Sequence, residues 1–279
     1  QPEDSGIPMT TVLSEQAVHD RFVEGYRHAE SELAREIERC VCGCDYGASS
    51  WTTVDEIQTI IELMSLSDSS HLLELGAGAG WPRLYLTAQT GCRAMLTDLP
   101  LEGLRIGLKR AVKDGLADLV SITAASGSSL PFANACFDVI FHSDVLCCLA
   151  DKEMVLLECR RSVSADGCMV FPVIFPVENL SKAEQQLVLA AGPPFAEIKQ
   201  PYPQLLAQTG WKLTDQIDLS EEVAISMALM NEKLQQYSDE LDSLKGENFA
   251  ADERVRRVNG SKACAQGLLR RELYRAVPV

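Results

Sequence analysis

Five short apolar runs, at 71–75, 92–97, 119–124, 137–141 and 168–173, punctuate the middle of the chain. Each is five or six residues long, and most are flanked by glycine, aspartate or serine, the form of a strand covered on both faces. Between them, stretches at 82–90, 102–114 and 152–163 carry apolar residues three and four apart, the helical period. Strands alternating with helices in this way predict an α/β protein built on a doubly wound parallel sheet.

Upstream, Val18, Phe22, Tyr26, Leu33, Ile37 and Val41 recur at helical spacing and leave Glu30, Glu32, Arg35 and Glu36 largely for water, with Ser14 as the N-cap. After a break at 43–50, Thr53-Val54-Asp55-Glu56 has the form of a capping box and opens a helix that buries Ile57, Ile60, Ile61 and Met64. This helical lead-in is expected to lie across the mouth of the ligand site. Late in the chain, Val223, Met227, Met230, Leu234, Tyr237, Leu241 and Leu244 alternate steps of four and three in an otherwise polar, acidic stretch. Such a seam predicts a long helix that either caps the lead-in or meets a second copy of the chain. The expected layout is a helical cap over 1–66, a core over 67–219, a helical insertion over 220–262 and a closing strand over 263–279.

Candidate chemistry enters where the first run meets Glu74-x-Gly76-x-Gly78-x-Gly80, followed by Trp81 and by Pro82 at a helix start. Glycines there let the backbone turn tightly and approach a ligand with no Cβ in the way. The next strand ends at Asp98, whose carboxylate is placed to take both hydroxyls of a ribose. Ligands in such sheets bind beyond the carboxyl ends of the strands, so 74–80, Asp98, 125–128 and 142–144 should converge. A dinucleotide fingerprint would put glycine at 81, where this chain has Trp81.

The glycine pattern resembles motif I of the class I S-adenosylmethionine-dependent methyltransferases. Leu130-Pro131-Phe132 followed by Cys136-Phe137-Asp138-Val139-Ile140-Phe141 is similar to the passage into their fourth strand, and Ser164-Ala165-Asp166-Gly167-Cys168 to the turn before the fifth. The resemblance implies S-adenosylmethionine as cofactor and a Rossmann-like sheet whose strands at 213–217 and 268–274 form an antiparallel hairpin at its edge. It also implies a cofactor set of Glu74, Gly76, Ala77, Gly78, Gly80, Trp81, Asp98, Leu99, Ser126, Gly127, His142 and Ser143. The segment from Phe141 to Lys152 resembles the one after strand four in small-molecule methyltransferases of the phosphoethanolamine, glycine or sarcosine, and ubiquinone-biosynthesis types. Asp144, Asp151 and Lys152 match, whereas Ser143 stands for an arginine and Cys148 for a histidine, which weakens the transfer of a phospho-base substrate and leaves the reaction class intact.

Methyl transfer from a sulfonium is an in-line displacement, and the protein must align the partners, exclude water and receive any proton the nucleophile loses. His142 is a candidate base near neutral pH, or else a contact to the methionine or adenine part of the donor. Asp144 would orient it or hold an acceptor amine or hydroxyl, and Cys148 completes the candidate catalytic set. Tyr46 and Trp51 are candidates to close over the sulfonium with their ring faces, or to be packed in a turn between helices. Thr52 is placed for the donor's carboxylate and Cys147 for the acceptor side. Cys40, Cys42 and Cys44 would turn to one side of an extended chain and offer soft ligands to a metalloid, although they lack the C-x-x-C spacing of zinc knuckles, and no metal is assigned. Arg254, Arg256, Arg257, Arg270 and Arg271 read either as a solvated face or as a cradle for a substrate phosphate.

Composition narrows the partners. With 46% hydrophobic residues in 279, the chain can bury a large core. A net charge of -15 leaves no electrostatic footprint for a phosphate backbone, so nucleic acid is not expected as a substrate. No apolar run reaches membrane-spanning length, and Gln1 to Pro8 lack the basic and apolar regions of a signal peptide. Met9-Thr10-Thr11 reads as a start, with foreign residues before it, and ten cysteines without an export signal predict free thiols in the cytoplasm. The reading is a cytoplasmic methyltransferase for a small molecule, without membrane or nucleic-acid partners, and with a homodimer through the seam among its arrangements. Its alternatives are a thiol or metalloid methyltransferase and a non-catalytic S-adenosylmethionine-binding scaffold.

Overall fold

The computed structural model describes residues 14–47 and 50–279, so the start expected at Met9 lies outside the described residues. The lead-in forms α1 (Glu15–Arg27), α2 (Glu32–Cys42) and α3 (Val54–Met64). The core runs β1 (His71–Leu75), α4 (Arg83–Thr90), β2 (Arg93–Asp98), α5 (Leu101–Lys113), β3 (Val120–Ala124), β4 (Phe137–His142), α6 (Lys152–Ser162) and β5 (Val163–Pro176). Helices α7 (Lys182–Ala191) and α8 (Tyr202–Gln208) precede β6 (Trp211–Asp218). Three helices, α9 (Ser220–Gln236), α10 (Ser238–Lys245) and α11 (Phe249–Ala265), then lead to β7 (Leu269–Pro278).

All seven strands form one sheet in the order β3-β2-β1-β4-β5-β7-β6. The first five pair in parallel, and β7 inserts antiparallel between β5 and β6, the edge hairpin that the resemblance implied. Strand order reverses between β1 and β4, which opens the crevice where ligands of such sheets bind. Side chains of β5 alternate as the two-residue period requires: Met169, Phe171 and Val173 pack with α6 and α8, Cys168 and Val170 with the lead-in side. The turn expected at 164–168 is an irregularity inside β5. Phe137 and Val139 of β4 face Val163 and Cys168, so the chain loops out between them. Gly167 makes this fit, because a Cβ there would lie 2.4 Å from the Asp138 carbonyl oxygen.

The structure corrects the helical expectations in three places. The lead-in stripe is split between two helices, since Ser31 caps α2 by accepting from the Ala34 N–H at 3.2 Å, while Ser14 caps α1 as read. Thr53 is the N-cap of α3 but makes no side-chain cap bond, and the Glu56 carboxylate that would complete the box is held by Arg271. The seam is not one helix: it breaks at Tyr237, where ψ is 28°. Val223, Met227, Leu234 and Leu241 are buried within the chain, the first two against α11 and β7, the others with Ile37 and Val41 of α2. Met227 lies so close to Gly260 of α11 that a Cβ there would come within 2.7 Å of its sulfur. Four of the seven seam residues thus pack on the protein's own helices and strand, while Met230, Tyr237 and Leu244 stay partly exposed. Among the described residues no helix is long and apolar enough to cross a membrane.

Candidate active site

The loop after β1 takes three left-handed glycines, Gly76 (φ 62°), Gly78 (φ 50°) and Gly80 (φ 97°). They turn the chain inside a narrow space: a Cβ on Gly76 would lie 2.4 Å from Val145, and one on Gly78 would lie 2.6 Å from the Tyr26 hydroxyl. Helix α5 approaches the same loop through Gly103 and Gly107, where a Cβ would meet Gly78 at 2.9 Å and Ala79 at 3.3 Å. This i, i+4 glycine pair was a signal that the sequence reading did not use.

Asp98 ends β2 and is drawn into that loop. One carboxylate oxygen accepts from the Gly78 N–H at 2.8 Å and the other from the Leu99 N–H at 2.8 Å. Burial outweighs these two bonds and pushes its carboxyl up to about 6. Leu99 is half exposed beside it, an apolar surface at the strand end. Glu74 is buried at the end of β1 with one oxygen unpartnered, and burial pushes its carboxyl well above the usual range against the pull of Arg83. The loop after β3 lies next to these groups: Ala125 N–H donates to the Asp98 carbonyl at 3.0 Å, and Ser126 and Ser128 join hydroxyls at 2.9 Å around Gly127. Glycine loop, Asp98 and 125–128 thus converge.

Beyond β4, the side chains are held by contacts within the chain. His142 is fully buried, stacks on Phe171 with ring centroids 4.5 Å apart, and has no partner at either nitrogen. Burial pushes its pKa down to about 3, so the ring is neutral at pH 7 and a poor proton acceptor. Ser143 joins the segment before α3, its hydroxyl 2.7 Å from those of Ser50 and Thr52. Asp144 sits in the left-handed region (φ 54°), uncommon outside glycine, and belongs to a buried ionic cluster. Arg271 of β7, itself without exposure, donates from Nε to both Asp144 oxygens at 3.2 Å, from Nη1 to Glu56 at 2.8 and 2.9 Å, and from Nη2 to Thr52 Oγ1 at 3.0 Å and Asp144 at 3.1 Å. Arg271 is thus no part of a solvated face, whereas Arg270 is, pairing with Asp218 at 2.7 Å. Cys147 is buried, with its thiol on the Asp144 carbonyl at 3.0 Å, and Cys148 is half-buried, 3.7 Å from the same oxygen.

Tyr46 packs between Arg110 and Trp81: the Arg110 guanidinium lies over its ring at 4.3 Å, and burial pushes its hydroxyl up to about 12. Trp81 is buried beside it, ring centroids 5.4 Å apart, with its indole N–H on the Thr52 carbonyl at 2.8 Å. Trp51 carries Arg257 over its ring at 4.8 Å. Cys40 and Cys42 lie in α2 rather than in an extended chain, so their side chains diverge. Cys44 donates to Glu38 at 3.0 Å, and Glu38 also accepts from the Tyr46 N–H at 3.0 Å. Among the described residues no group of three His, Cys, Asp or Glu side chains is gathered as a metal site.

Residues 73–171 match the family described as the methyltransferase domain. The chain matches this domain over the stretch from β1 to the middle of β5, which carries the glycine loop and Asp98. It is 26% identical over 203 residues to a glycine/sarcosine/dimethylglycine N-methyltransferase of Actinopolyspora halophila, covering 70% of this chain and 35% of that protein. Over 170 residues it is 25% identical to the methyltransferase GfsG of Streptomyces halstedii, covering 59% of this chain and 61% of that one. The chain therefore spans between a third and two thirds of these relatives. Among solved structures, the [4+2]-cyclase SpnF superposes with a TM-score of 0.77 at 18% identity, over 99% of this chain and 100% of that one, which shows a shared fold.

Proposed function

We propose that the chain transfers the methyl group of S-adenosylmethionine to a small-molecule acceptor enclosed by the lead-in helices and α9 to α11. The observation that carries this is the bond from Gly78 N–H to Asp98, which fixes the glycine loop, the strand-end acid and exposed Leu99 in one nucleoside-sized cradle. Asp98 has lone pairs left for a ribose diol, Leu99 and 125–128 flank the base, and Gly76 keeps the backbone open toward the methionine part. The donor supplies the electrophilic methyl group; the chain's own side chains orient the acceptor and exclude water.

In this reading Asp144 is the group that faces the acceptor, held in its left-handed turn by Arg271, and Ser143 is a second contact through its bonds to Ser50 and Thr52. His142 shapes the floor as a neutral ring. A cytoplasmic setting suits the ten cysteines, all free thiols here. A second copy of the chain would meet only the partly exposed seam residues Met230, Tyr237 and Leu244, since Val223, Met227, Leu234 and Leu241 are already covered.

The test is an acceptor screen over amines, phenols, thiols, carboxylic acids and phosphate esters, with mass spectrometry for S-adenosylhomocysteine and a product heavier by one methyl group. Turnover with one acceptor class supports the reading. Binding of S-adenosylmethionine without demethylation in any class would contradict it and favour a scaffold, or non-methylating chemistry such as that named for the structural neighbour.

A further inference from the structure

The insertion brings cations to the acceptor side of a chain whose net charge is -15. On α11, Glu253 accepts from Arg256 Nη1 at 2.6 Å and from Arg257 Nη2 at 3.1 Å, the i, i+3 and i, i+4 neighbours of a helix. Arg21 of α1, an exposed residue, lies within electrostatic range of this group, and partial desolvation and the repulsion of Arg256 lower its pKa. It makes no hydrogen bond or close ion pair among the described residues, although Glu253 and Cys148 lie within electrostatic range. Lys245 and Glu24 also face this group and cancel one another in charge. Two guanidinium groups thus share one carboxylate, with Arg21 in range of it, and the Nε atom of Arg257 is buried with no acceptor.

Unmatched buried donors are costly unless something occupies them. What lies beside them is the methyl-transfer side of the fold. Arg257 covers Trp51, the next residue is Thr52, and its hydroxyl bonds Ser143 at the end of β4. Cys148, near Arg21, is in the turn that follows Asp144.

We propose that the methyl acceptor carries an oxyanionic group, a carboxylate or a phosphate, and that Arg21, Arg256 and Arg257 bind it against the face of Trp51. Guanidinium forks match either oxyanion with paired N–H donors, and Glu253 spaces the two α11 forks. This deepens the methyl-transfer reading and rests on it, but the anion site itself can be measured without turnover.

The experiment titrates the full chain with pyrophosphate, inorganic phosphate and citrate by calorimetry at constant ionic strength, with and without S-adenosylhomocysteine. Potassium chloride is the control. Saturable binding of a phosphate or of citrate is expected, and which arm responds identifies the oxyanion. Arg21→Gln, at an exposed position, and Arg256→Gln should each weaken it at least about tenfold, while Arg270→Gln, on the far pair with Asp218, leaves it intact. In turnover, Arg21→Gln should raise KM for anionic acceptors. No saturable binding beyond chloride, equal affinity in the arginine variants, or turnover confined to neutral and cationic acceptors would overturn the proposal. Binding of S-adenosylhomocysteine alone, with no anion bound, would sink the oxyanion site and spare methyl transfer; anion binding without S-adenosylhomocysteine binding would do the reverse.

Discussion

Replacing Arg271 by methionine removes the one cation that faces both Glu56 and Asp144. The guanidinium has no exposure, and the two carboxylates are nearly as buried, with side-chain exposures of 4% and 8%. Breaking a buried pair from one side costs about 3–5 kcal/mol, because the partner charge stays behind without compensation. Two carboxylates are stranded here, and Thr52 loses a donor, so a loss of about 4–5 kcal/mol at pH 7.5 is expected, about a quarter or more of a typical domain's stability of about 5–15 kcal/mol. The sign of the pH dependence follows from Glu56, whose carboxyl burial already pushes up while Arg271 pulls it down. Without Arg271 it rises further above its unfolded value. A raised carboxyl stabilises the fold at low pH and loses that contribution as pH rises through the folded pKa, so the deficit of the variant shrinks as pH falls from 7.5 toward 5. Urea melts of parent and Arg271→Met at both values, with unchanged m, read it directly. Adding Glu56→Gln and Asp144→Asn should restore much of the loss. A deficit below about 1 kcal/mol at pH 7.5, or one that grows on acidification, would refute the reasoning.

Other consequences are open to direct measurement. His142→Phe should keep turnover, since a ring with pKa about 3 is no base at pH 7. It should also flatten the acid side of the stability curve, because parent His142 must stay neutral when folded and costs stability as pH falls from its unfolded pKa toward about 3; loss of turnover in a folded variant contradicts this. Asp144→Asn should lower kcat at unchanged S-adenosylmethionine affinity, and equal effects on both would place Asp144 in cofactor binding instead. Serine at Cys40, Cys42 and Cys44 together should leave turnover of an organic acceptor nearly intact, whereas its abolition with Asp144→Asn still active would point to thiol chemistry.

The core was readable because its strands are short apolar runs cut by glycine and aspartate, and each signal is local. β1 to β4 fall within a residue or two of the expected runs, and Glu74 to Gly80 and Asp98 meet as a doubly wound sheet demands. What escaped depends on contacts between distant parts of the chain. Glu56 has the spacing of a capping box, yet Arg271, 215 residues away, outcompetes its own helix N-terminus. The same pairing turned an arginine that looked solvated into a buried one. His142 looked like a base because histidine titrates near neutrality, but Phe171 and the sheet remove the water that its cation needs. Tyr46 reads as a cover for the sulfonium or as packed in a turn, and its Arg110 partner, 64 residues away, carries no local signal. The cysteines followed an extended spacing, and the chain is helical at Cys40 and Cys42, with Cys44 past the Gly43 cap.

Calorimetry of S-adenosylmethionine and NAD against the parent and Asp98→Ala, from pH 5 to 8, tests the central claim most directly. The parent should bind one S-adenosylmethionine in preference to NAD, with affinity falling as pH drops below about 6, where Asp98 takes up a proton and ceases to be a charged acceptor. Asp98→Ala should lose at least about tenfold at pH 8, since each charge-assisted bond to the ribose is worth about 1.5–3 kcal/mol. Tighter binding of NAD, or an affinity for S-adenosylmethionine that neither pH nor Asp98→Ala changes, would contradict the account.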